Sequence, residues 1–481
     1  MSEFRRQHPV AAITRAVDLI RDNFITILIL MVVGAGGSEG VAFIWWFTGL
    51  LFFLLTAGVA DWWRFQYWAD KEKLNIRQGV LVRKNLTLTR ERIQVIDVTS
   101  GVVQRLFGLV SVEVQTAGSG SREAYLSAVT TEEAERLTAL LRNGYRQLAD
   151  EGTEAAVSPE SRYPLPVREL LIAASTSGSF GIALSIIATL FSQVEPLLTE
   201  TEIHEWFAAE LPETDTLFFV SLIAVFVLFA WLLSFLGVLL SYGNFCLELR
   251  DDEMVITRGL LEKKRITVPF NRIQAVRVVE GVMRQPFGFA NISVESAGFG
   301  DQKGSGSVVI HPLIRRSRVS SFLREVLPEY DGEPRTSKPP LRSLTRYMIR
   351  STAVLAIAVG ALWLLAGTGD WIWVLLLPGL AWGWLRHRDA EAGADERRLL
   401  LCGRVLARTT AIVLKNRVQD VTVSTSLIQR YRNLMNLEVR VASGEQGRGF
   451  LVREMEPERA RELLGWMAID NPFLQTEKEG T

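Results

Sequence analysis

Six long apolar runs alternate along the chain with segments in which charged and apolar residues are mixed. A helix needs about 20 predominantly apolar residues to cross a membrane. The runs therefore predict six transmembrane helices, and their spacing arranges them as three hairpins. The predicted spans are Leu19–Gly37, Val41–Ala60, Glu169–Phe191, Thr216–Tyr242, Tyr347–Gly367 and Trp371–Leu385.

The charges beside these runs predict an orientation. The connection within each hairpin lacks lysine and arginine, and the longest one, Gln193–Asp215, also has seven acidic residues. Lysine and arginine near the membrane stay on the cytoplasmic side. Such residues flank the outer ends of the hairpins, at Arg5, Arg6, Arg15, Arg21, Arg64, Lys71, Lys73, Arg162, Arg168, Arg342, Arg346, Arg350, Arg386 and Arg388. We therefore expect both termini and all three soluble segments to be cytoplasmic, at the inner membrane.

The three soluble segments repeat one pattern. The sequence RIQVIDV from Arg92 is followed 180 residues later by RIQAVRV from Arg272, and RVQDVTV from Arg417 fits the same frame. Apolar and polar residues alternate with a period of two in each copy, which predicts strands with two different faces. Internal repetition indicates that one structural unit occurs three times.

An amphipathic helix is predicted at the end of each copy. Thr130 and Glu133 form a capping-box pattern ahead of the first helix, and Pro312 and Pro457 are placed near the first turn of the second and third. Short strands followed by one such helix predict a small antiparallel barrel or sandwich that the helix caps. The predicted segments are hairpins 8–63, 163–242 and 341–385 and soluble domains 64–148, 243–330 and 386–473.

A glycine after an aromatic residue marks a sharp corner in two copies. Gly108 and Gly288 stand in LFGL and PFGF, where we expect positive φ or close packing. The third copy has Arg432 and Asn433 there instead. Asparagine is the next most tolerant residue for positive φ, so the turn is expected to persist without its aromatic anchor.

The motif R-I-Q…G-V…F-G…A-G, after a pair of membrane helices, resembles the bacterial pleckstrin-homology-like (PH-like) domains. Three such domains, each preceded by two helices, resemble the YdbT-like family of bacterial membrane proteins. The fold expected is therefore an α+β membrane protein with six helices and three cytoplasmic PH-like barrels. The resemblance also implies a smaller membrane protein with a single PH-like domain as partner, and a role in envelope or antimicrobial stress defence. The third copy departs most, because it lacks the F-G and the closing A-G-x-G.

Motifs for catalysis, metal binding or a cofactor are absent from the sequence, as neither GxSxG, HExxH, a Walker A loop nor GxGxxG occurs. The two cysteines, Cys246 and Cys402, are too few for a cysteine metal site. The 53 basic and 53 acidic residues balance, so no net field favours nucleic acid. We expect neither an enzyme nor a cofactor.

Three groups of residues are candidates for binding. Arg92, Gln94, Arg272, Gln274, Arg417 and Gln419 could line barrel mouths, although a structural hydrogen bond to a neighbouring turn explains them as well. Arg430, Tyr431 and Arg432 form an altered corner suited to an interface, and drift is the alternative. Arg83, Lys84, Lys263, Lys264 and Arg265 are candidates for lipid headgroup contact, and solvated loop residues are the alternative.

These observations predict a non-enzymatic inner-membrane scaffold whose PH-like domains contact membrane lipids and a partner protein. The protein could also form an oligomer. The alternative is a transporter or lipid-handling protein with a path between the helical hairpins. Against it, the central parts of the second to sixth spans contain no charged residue of the kind that transport sites use.

Overall fold

The computed structural model describes residues 4–22, 40–70, 72–79, 82–89, 93–116, 124–142, 161–178, 180–181, 183–185, 189, 216–297, 306–332, 334–367, 369–444 and 447–468. Helices and antiparallel strands alternate along these residues, which confirms the α+β class. The helices are α1 (Val10–Asp22), α2 (Gly40–Arg64), α3 (Val102–Leu106), α4 (Thr131–Arg142), α5 (Val167–Ser175), α6 (Thr216–Tyr242), α7 (Val319–Val326), α8 (Leu344–Ala366), α9 (Leu376–Asp389), α10 (Leu427–Tyr431) and α11 (Pro457–Ala468).

The strands follow the predicted copies. Those of the first copy are β1 (Gln66–Ala69), β2 (Lys73–Gln78), β3 (Lys84–Thr89), β4 (Ile93–Ser100), β5 (Leu109–Thr116) and β6 (Ala124–Thr130). Those leading into and forming the second are β7 (Ser161–Pro164), β8 (Cys246–Arg250), β9 (Glu253–Arg258), β10 (Lys263–Pro269), β11 (Ile273–Glu280), β12 (Phe289–Ser296) and β13 (Ser307–Arg315). The third set is β14 (Thr336–Ser337), β15 (Glu391–Ala394), β16 (Arg398–Arg404), β17 (Arg408–Leu414), β18 (Val418–Ser424), β19 (Met435–Val441) and β20 (Arg448–Met455).

The chain divides into two compact units, Met1–Val268 and Pro269–Thr481. The first contains the three-stranded sheet β1-β2-β3 and a seven-stranded sheet in the order β6-β5-β4-β10-β9-β8-β7. The second contains a seven-stranded sheet in the order β13-β12-β11-β17-β16-β15-β14 and the three-stranded sheet β18-β19-β20. The boundary between the units falls inside the predicted domain 243–330, and the predicted division into six segments remains a prediction.

Each seven-stranded sheet joins strands from two consecutive copies of the repeat. In the first, β4 of copy one pairs antiparallel with β10 of copy two. In the second, β11 of copy two pairs antiparallel with β17 of copy three. We call them the first and second junction sheets. The prediction of one self-contained barrel per copy was therefore incomplete, because the edge strands of one copy complete the sheet of the next.

The cores of the first and third copies contain the apolar faces that the sequence predicted. In the first unit β1–β3 pack against β5, β6 and the inner face of α4, including Leu137 and Leu141. In the second unit β15–β17 pack against β18–β20 and α11, including Leu463 and Met467. The capping helix was therefore predicted correctly for both copies.

Two helices in the described part of the chain are long and apolar enough to cross a membrane, Ile223–Tyr242 and Leu341–Leu365. They correspond to the fourth and fifth predicted spans, so six spans are not confirmed. The second run forms one helix within α2. The first run lies mostly outside the described residues.

The third and sixth runs are not single long helices as predicted. The third ends as a helix at Ser175, where the Ser175 and Thr176 hydroxyls bond to the carbonyls of Leu171 and Ile172. In the sixth, a 3₁₀ segment over Asp370–Leu375 precedes the 14-residue α9. Pro378 lies in the first turn of α9, the part of a helix where its missing N–H is tolerated.

The second capping helix begins later than predicted. Pro312 lies in β13, next to an irregularity in the pairing with β12, and α7 begins at Val319. A proline is tolerated in a strand at such a bulge, where no ladder hydrogen bond is required. Pro457 is the first residue of α11 as expected.

Candidate interaction and lipid-contact sites

The Arg-x-Gln positions lie at a turn followed by a bulged strand. Short 3₁₀ turns end at Arg272 and Arg417, and β11 and β18 begin directly after them. The strand register shifts at Gln274 and at Gln419, and also between Ile93 and Val95. A bulge bends its strand and changes the direction of a side chain, so the repeated glutamine marks a repeated bend.

Gln274 has the local structural contact that was the alternative to ligand binding. Its side chain is buried, and its Nε2 donates a hydrogen bond of 3.0 Å to the carbonyl oxygen of Arg272. Gln419 is exposed instead. Arg92 and the side chain of Gln94 lie outside the described residues. The described members of this set are therefore not gathered into one binding pocket.

Tyr330 lies beside Arg417, and no sequence motif pointed to this contact. The Tyr330 hydroxyl donates to the carbonyl oxygen of Ile273 at 3.0 Å. Burial raises the pKa of Tyr330 well above its ordinary value, and the positive charge of Arg417 partly opposes this rise. Arg417 thus lies beside a buried tyrosine that holds the start of β11.

The sharp corner that precedes β5, β12 and β19 has the predicted conformation in all three copies. The φ angles are +65° at Gly108, +66° at Gly288 and +55° at Asn433. These values lie in the left-handed region that favours glycine and then asparagine. The prediction that the turn persists in the third copy is confirmed.

A buried polar side chain fixes each corner, and the motif analysis did not identify it. Gln104 donates from Nε2 to the carbonyl oxygen of Ser127 at 3.2 Å, and Arg284 donates from Nη1 to the carbonyl oxygen of Pro312 at 2.9 Å. These acceptors occupy matching positions of β6 and β13. Gln429 is the third member, with Nε2 2.7 Å from Oδ1 of Asn436. The sequence feature that could have identified this side chain is a long polar residue four positions before Gly108, Gly288 and Asn433.

The aromatic residues of the first two corners are not buried anchors. Phe107 and Phe287 are both exposed, and Leu106 beside Phe107 is 81% exposed. The expectation of an aromatic anchor was therefore wrong. The buried polar side chain holds the corner, which leaves the apolar residues of the short helical turn facing outward.

The candidate headgroup residues lie on exposed strand starts. Arg83, Lys84, Lys263 and Arg265 have exposed side chains, and Lys264 is half-buried. Lys263 is the first residue of β10, which pairs with the end of β4 in the first junction sheet. This cationic segment can attract anionic headgroups if the sheet lies near a membrane.

At the altered corner of the third copy, one arginine is engaged within the chain. Arg432 donates from Nη1 to Oγ1 of Thr345 at 2.6 Å and to the carbonyl oxygen of Arg342 at 3.3 Å. These contacts hold the corner against the start of α8. Arg430 and Tyr431 point outward, and Tyr431 is 92% exposed. Of the three candidates, these two are accessible to a partner.

Buried ion pairs beside the candidate membrane helices also escaped the sequence analysis. Glu454, which is 1% exposed, accepts hydrogen bonds from Arg346 at 2.9 Å and from Arg350 at 3.2 Å. Both arginines are on α8, so this carboxylate of β20 neutralises the cationic start of that helix. Paired charges of this kind are costly to separate. They are structural contacts rather than a site for chemistry, and the residues described contain no cluster suited to a metal ion.

Asp389 and Arg404 form a second buried pair, with a 2.5 Å bond from Nε to Oδ2. Nη2 of Arg404 also donates to Oε1 of Gln285 at 2.6 Å. Arg404, the last residue of β16, thus connects the end of α9 to the corner after β11. This side chain is therefore the polar centre of the second junction.

Comparison with known proteins gives three findings. The family model for the bacterial PH domain matches the chain three times, at residues 18–145, 186–330 and 345–469. UPF0699 transmembrane protein YdbT of Bacillus subtilis (strain 168) is 31% identical over 497 residues, covering 98% of this chain and 99% of its own. No solved structure matches the chain.

Proposed function

The chain belongs to the bacterial PH domain family, and from this premise we propose a non-enzymatic, multi-pass inner-membrane protein with an interaction scaffold on the cytoplasmic side. The scaffold consists of the three PH-like copies. The proposal includes six membrane spans in three hairpins and cytoplasmic termini. A transmembrane relative of nearly the same length and two candidate spans, Ile223–Tyr242 and Leu341–Leu365, support the membrane part.

The observation that carries the scaffold proposal is the sharing of sheets between consecutive copies. β4 pairs with β10, and β11 pairs with β17. A shared sheet holds the two copies in one fixed geometry, so a partner meets a surface built from both. Repeat proteins commonly bind through composite surfaces of this kind. A catalytic role has no comparable support, because the buried carboxylates of Glu454 and Asp389 are taken up by ion pairs with arginine.

We derive the type of partner from the domain organisation of the family. We propose a smaller membrane protein with a single PH-like domain, membrane lipids, and self-association of the chain, with no role for nucleic acid. We expect such a domain to offer sheet edges of the type that pair between β4 and β10 and between β11 and β17. Envelope or antimicrobial stress defence is the process in which we place this assembly.

The accessible pair Arg430 and Tyr431 provides a test. Full-length protein is isolated from membranes in mild detergent, and bound proteins and lipids are identified. We expect recovery of a PH-domain membrane protein with the wild type and its loss with Arg430→Glu combined with Tyr431→Ala. Arg461→Glu, at an exposed position of α11, is the charge-reversal control and is expected to retain the partner.

Other outcomes of this experiment separate the alternatives. If the double variant inserts normally and keeps its partner, the altered corner is not the interface. If no protein is recovered but one lipid or solute co-purifies in stoichiometric amount, a transporter or lipid-handling function replaces the scaffold.

A further inference from the structure

Two clusters of exposed apolar side chains occupy matching ends of the junction sheets. We define apolar edge 1 by residues of α3 and of the β9–β10 hairpin tip, and apolar edge 2 by the corner after β11 and the β16–β17 hairpin tip. Edge 1 consists of Val102, Leu106, Phe107, Leu260 and Leu261, and edge 2 of Val282, Met283, Phe287, Val405 and Leu406. All ten side chains are exposed, with Val405 at 79% and Phe287 at 67%. Contiguous apolar surface of this kind indicates a binding partner.

Edge 1 is hydrogen-bonded to the end of a candidate membrane helix. The N–H of Gly259 donates to the carbonyl oxygen of Gly243 at 2.7 Å, and the N–H of Leu260 donates to that of Leu240 at 2.9 Å. Leu240 lies in the last turn of the apolar segment Ile223–Tyr242. The hairpin tip therefore lies against the end of this apolar helical segment.

Gly243 allows this close approach. A Cβ at Gly243 would lie 2.2 Å from Cγ of Leu260, so only glycine leaves room for the leucine against the helix end. Along α6, Leu232 and Leu236 are exposed apolar residues on the way to this tip. Edge 1 thus continues the apolar surface of the helix.

Edge 2 is attached in the same way to the third hairpin. Trp382 donates from Nε1 to the carbonyl oxygen of Val405 at 3.1 Å, and Arg386 donates from Nε to that of Arg404 at 3.2 Å. Both donors are on α9, which packs along α8 so closely that a Cβ at Gly383 would lie 2.5 Å from Cα of Met348. Tryptophan and arginine are typical of the membrane–water interface.

Backbone carbonyls at both hairpin tips accept hydrogen bonds from side chains, which allows the tips to enter an apolar environment. In edge 1, Nη1 of Arg105 lies 2.6 Å from the carbonyl oxygen of Leu260 and 3.4 Å from that of Leu261. In edge 2, Trp382 and Arg386 satisfy the carbonyls of Val405 and Arg404. A loop in water needs no such partners, whereas a carbonyl that enters lipid without one is costly. Different side chains thus satisfy the backbone carbonyls of the hairpin tip in each of the two edges.

From these observations we infer that apolar edges 1 and 2 insert into the interfacial region of the bilayer that the chain itself crosses. The occupant is phospholipid of the cytoplasmic leaflet, where the acyl chains meet the headgroups. Lys263, directly behind edge 1, then stands at headgroup level. Insertion fixes the tilt of each junction sheet against the membrane, as an interfacial segment does when it buries its apolar face.

The inference rests on the proposed membrane insertion of the helices, and the two can be tested separately. Resistance of the full chain to alkaline extraction from membranes measures helix insertion alone. Loss of that resistance would remove the premise, whereas the labelling experiment below addresses the edges in a chain that is inserted.

The test places a polarity-sensitive fluorophore at single cysteines in full-length protein whose Cys246 and Cys402 are replaced by alanine. The labelled positions are Leu106→Cys and Leu261→Cys for edge 1 and Leu406→Cys for edge 2, and all three side chains are exposed. The protein is reconstituted in phosphatidylglycerol–phosphatidylethanolamine vesicles with or without bromine on the acyl chains.

Matched controls lie at the opposite ends of the same strands. Asp252→Cys is in the turn before β9, and Glu396→Cys is in the turn before β16, both exposed. A strand of six residues (β9) or seven residues (β16) separates each control from its tip, a distance of about 20 Å. We expect a shift of emission to shorter wavelength and strong quenching by brominated acyl chains at the three edge positions, with neither effect at the controls.

Two results would overturn the inference. Emission typical of water at all edge positions would show that the edges face solvent. A shift to shorter wavelength without bromine quenching would show that a protein surface, from a partner or a second copy, covers them instead of lipid.

Discussion

Among the residues that the structure describes, the first junction sheet joins β4 to β10 through three residue pairs, Lys263↔Ser100, Lys264↔Thr99 and Arg265↔Val98, whereas the second joins β11 to β17 through six. The strand orders of the two sheets are the same. The described ladder is therefore longer in the second junction than in the first.

Charge separates the two junctions further. In the second, Arg408 faces Glu280 across the strands, with Nη1 3.8 Å from Oε1, and the buried Arg404 is bonded to Asp389 and Gln285. In the first, the matching cross-strand pair is Lys263 and Ser100, which cannot form an ion pair. One repeat plan thus produces a junction fixed by the buried pair of Arg404 and Asp389 and a junction whose matching cross-strand charge, Lys263, is exposed.

The largest expected effect comes from the buried charge of the second junction. Arg404→Met leaves the Asp389 carboxylate buried without its partner, a change that costs about 3–5 kcal/mol. Arg105→Met, which breaks the side-chain contact between the corner and the hairpin tip of the first junction, removes a hydrogen bond at an exposed side chain and costs about 1 kcal/mol. Thermal unfolding of the full chain in mild detergent measures both.

Asp389→Asn in the Arg404→Met background serves as the control for this prediction. It removes the stranded charge, so part of the lost stability should return. Equal destabilisation by the two arginine variants would show that the junctions do not differ in the way described.

The next effect is a dependence on pH that the second junction sheet carries through His311. His311 on β13 is largely buried against Phe322, and burial lowers its pKa to about 4. Between about pH 6.5 and 4 the unfolded chain binds a proton that the folded chain excludes, so stability falls as pH falls through this window. The shift corresponds to a loss of up to about 3 kcal/mol below pH 4.

The first junction sheet supplies the control substitution, because Leu126 on β6 occupies the position that matches His311. His311→Leu should flatten the stability–pH profile between pH 6.5 and 4, as followed by unfolding in denaturant at several pH values. An unchanged slope would place the responsible proton on another group.

Backbone strain at the corners should affect both junctions equally. Gly108 and Gly288 have the same φ, and a Cβ at either would meet no neighbouring atom within 4 Å. Gly108→Val and Gly288→Val should therefore each cost about 1–3 kcal/mol through the left-handed conformation alone. Gly288→Asn should cost much less, since Asn433 adopts this conformation in the third copy. Melting temperatures test this, and a large difference between the two valine variants would contradict a purely local cause.

The smallest effect concerns the outward-facing charge of the first junction. Lys263→Gln should weaken attraction to anionic lipid by about 1 kcal/mol, measured as less phosphatidylglycerol retained with the purified protein and a weaker dependence of that retention on salt. Lys338→Gln, at another exposed lysine, is the comparison variant. If both variants lose the same amount of lipid, Lys263 has no special place at the membrane.

Much of this architecture is local in origin and was predictable. The positive φ at Gly108, Gly288 and Asn433 follows from the residue types that tolerate it, and the apolar faces of α4 and α11 follow from helical periodicity. Such features depend on steric and hydrophobic preferences of adjacent residues. The functional candidates were less predictable, because the accessibility of Tyr431 and the engagement of Arg432 depend on α8, which begins nearly 90 residues earlier.

The sequence by itself determined that one α+β unit is repeated three times, with strands, a sharp corner and a capping helix in each copy. It also determined the positions of the most apolar candidate membrane helices. Only the tertiary structure decided which strands share a sheet, because the edge of β4 can pair with any compatible strand and its period-two pattern does not name β10. The tertiary structure also decided which polar residues are buried and which apolar ones are exposed. Burial of Arg404 and exposure of Leu106 arise from contacts between segments distant in the chain, and no pattern among neighbouring residues encodes them.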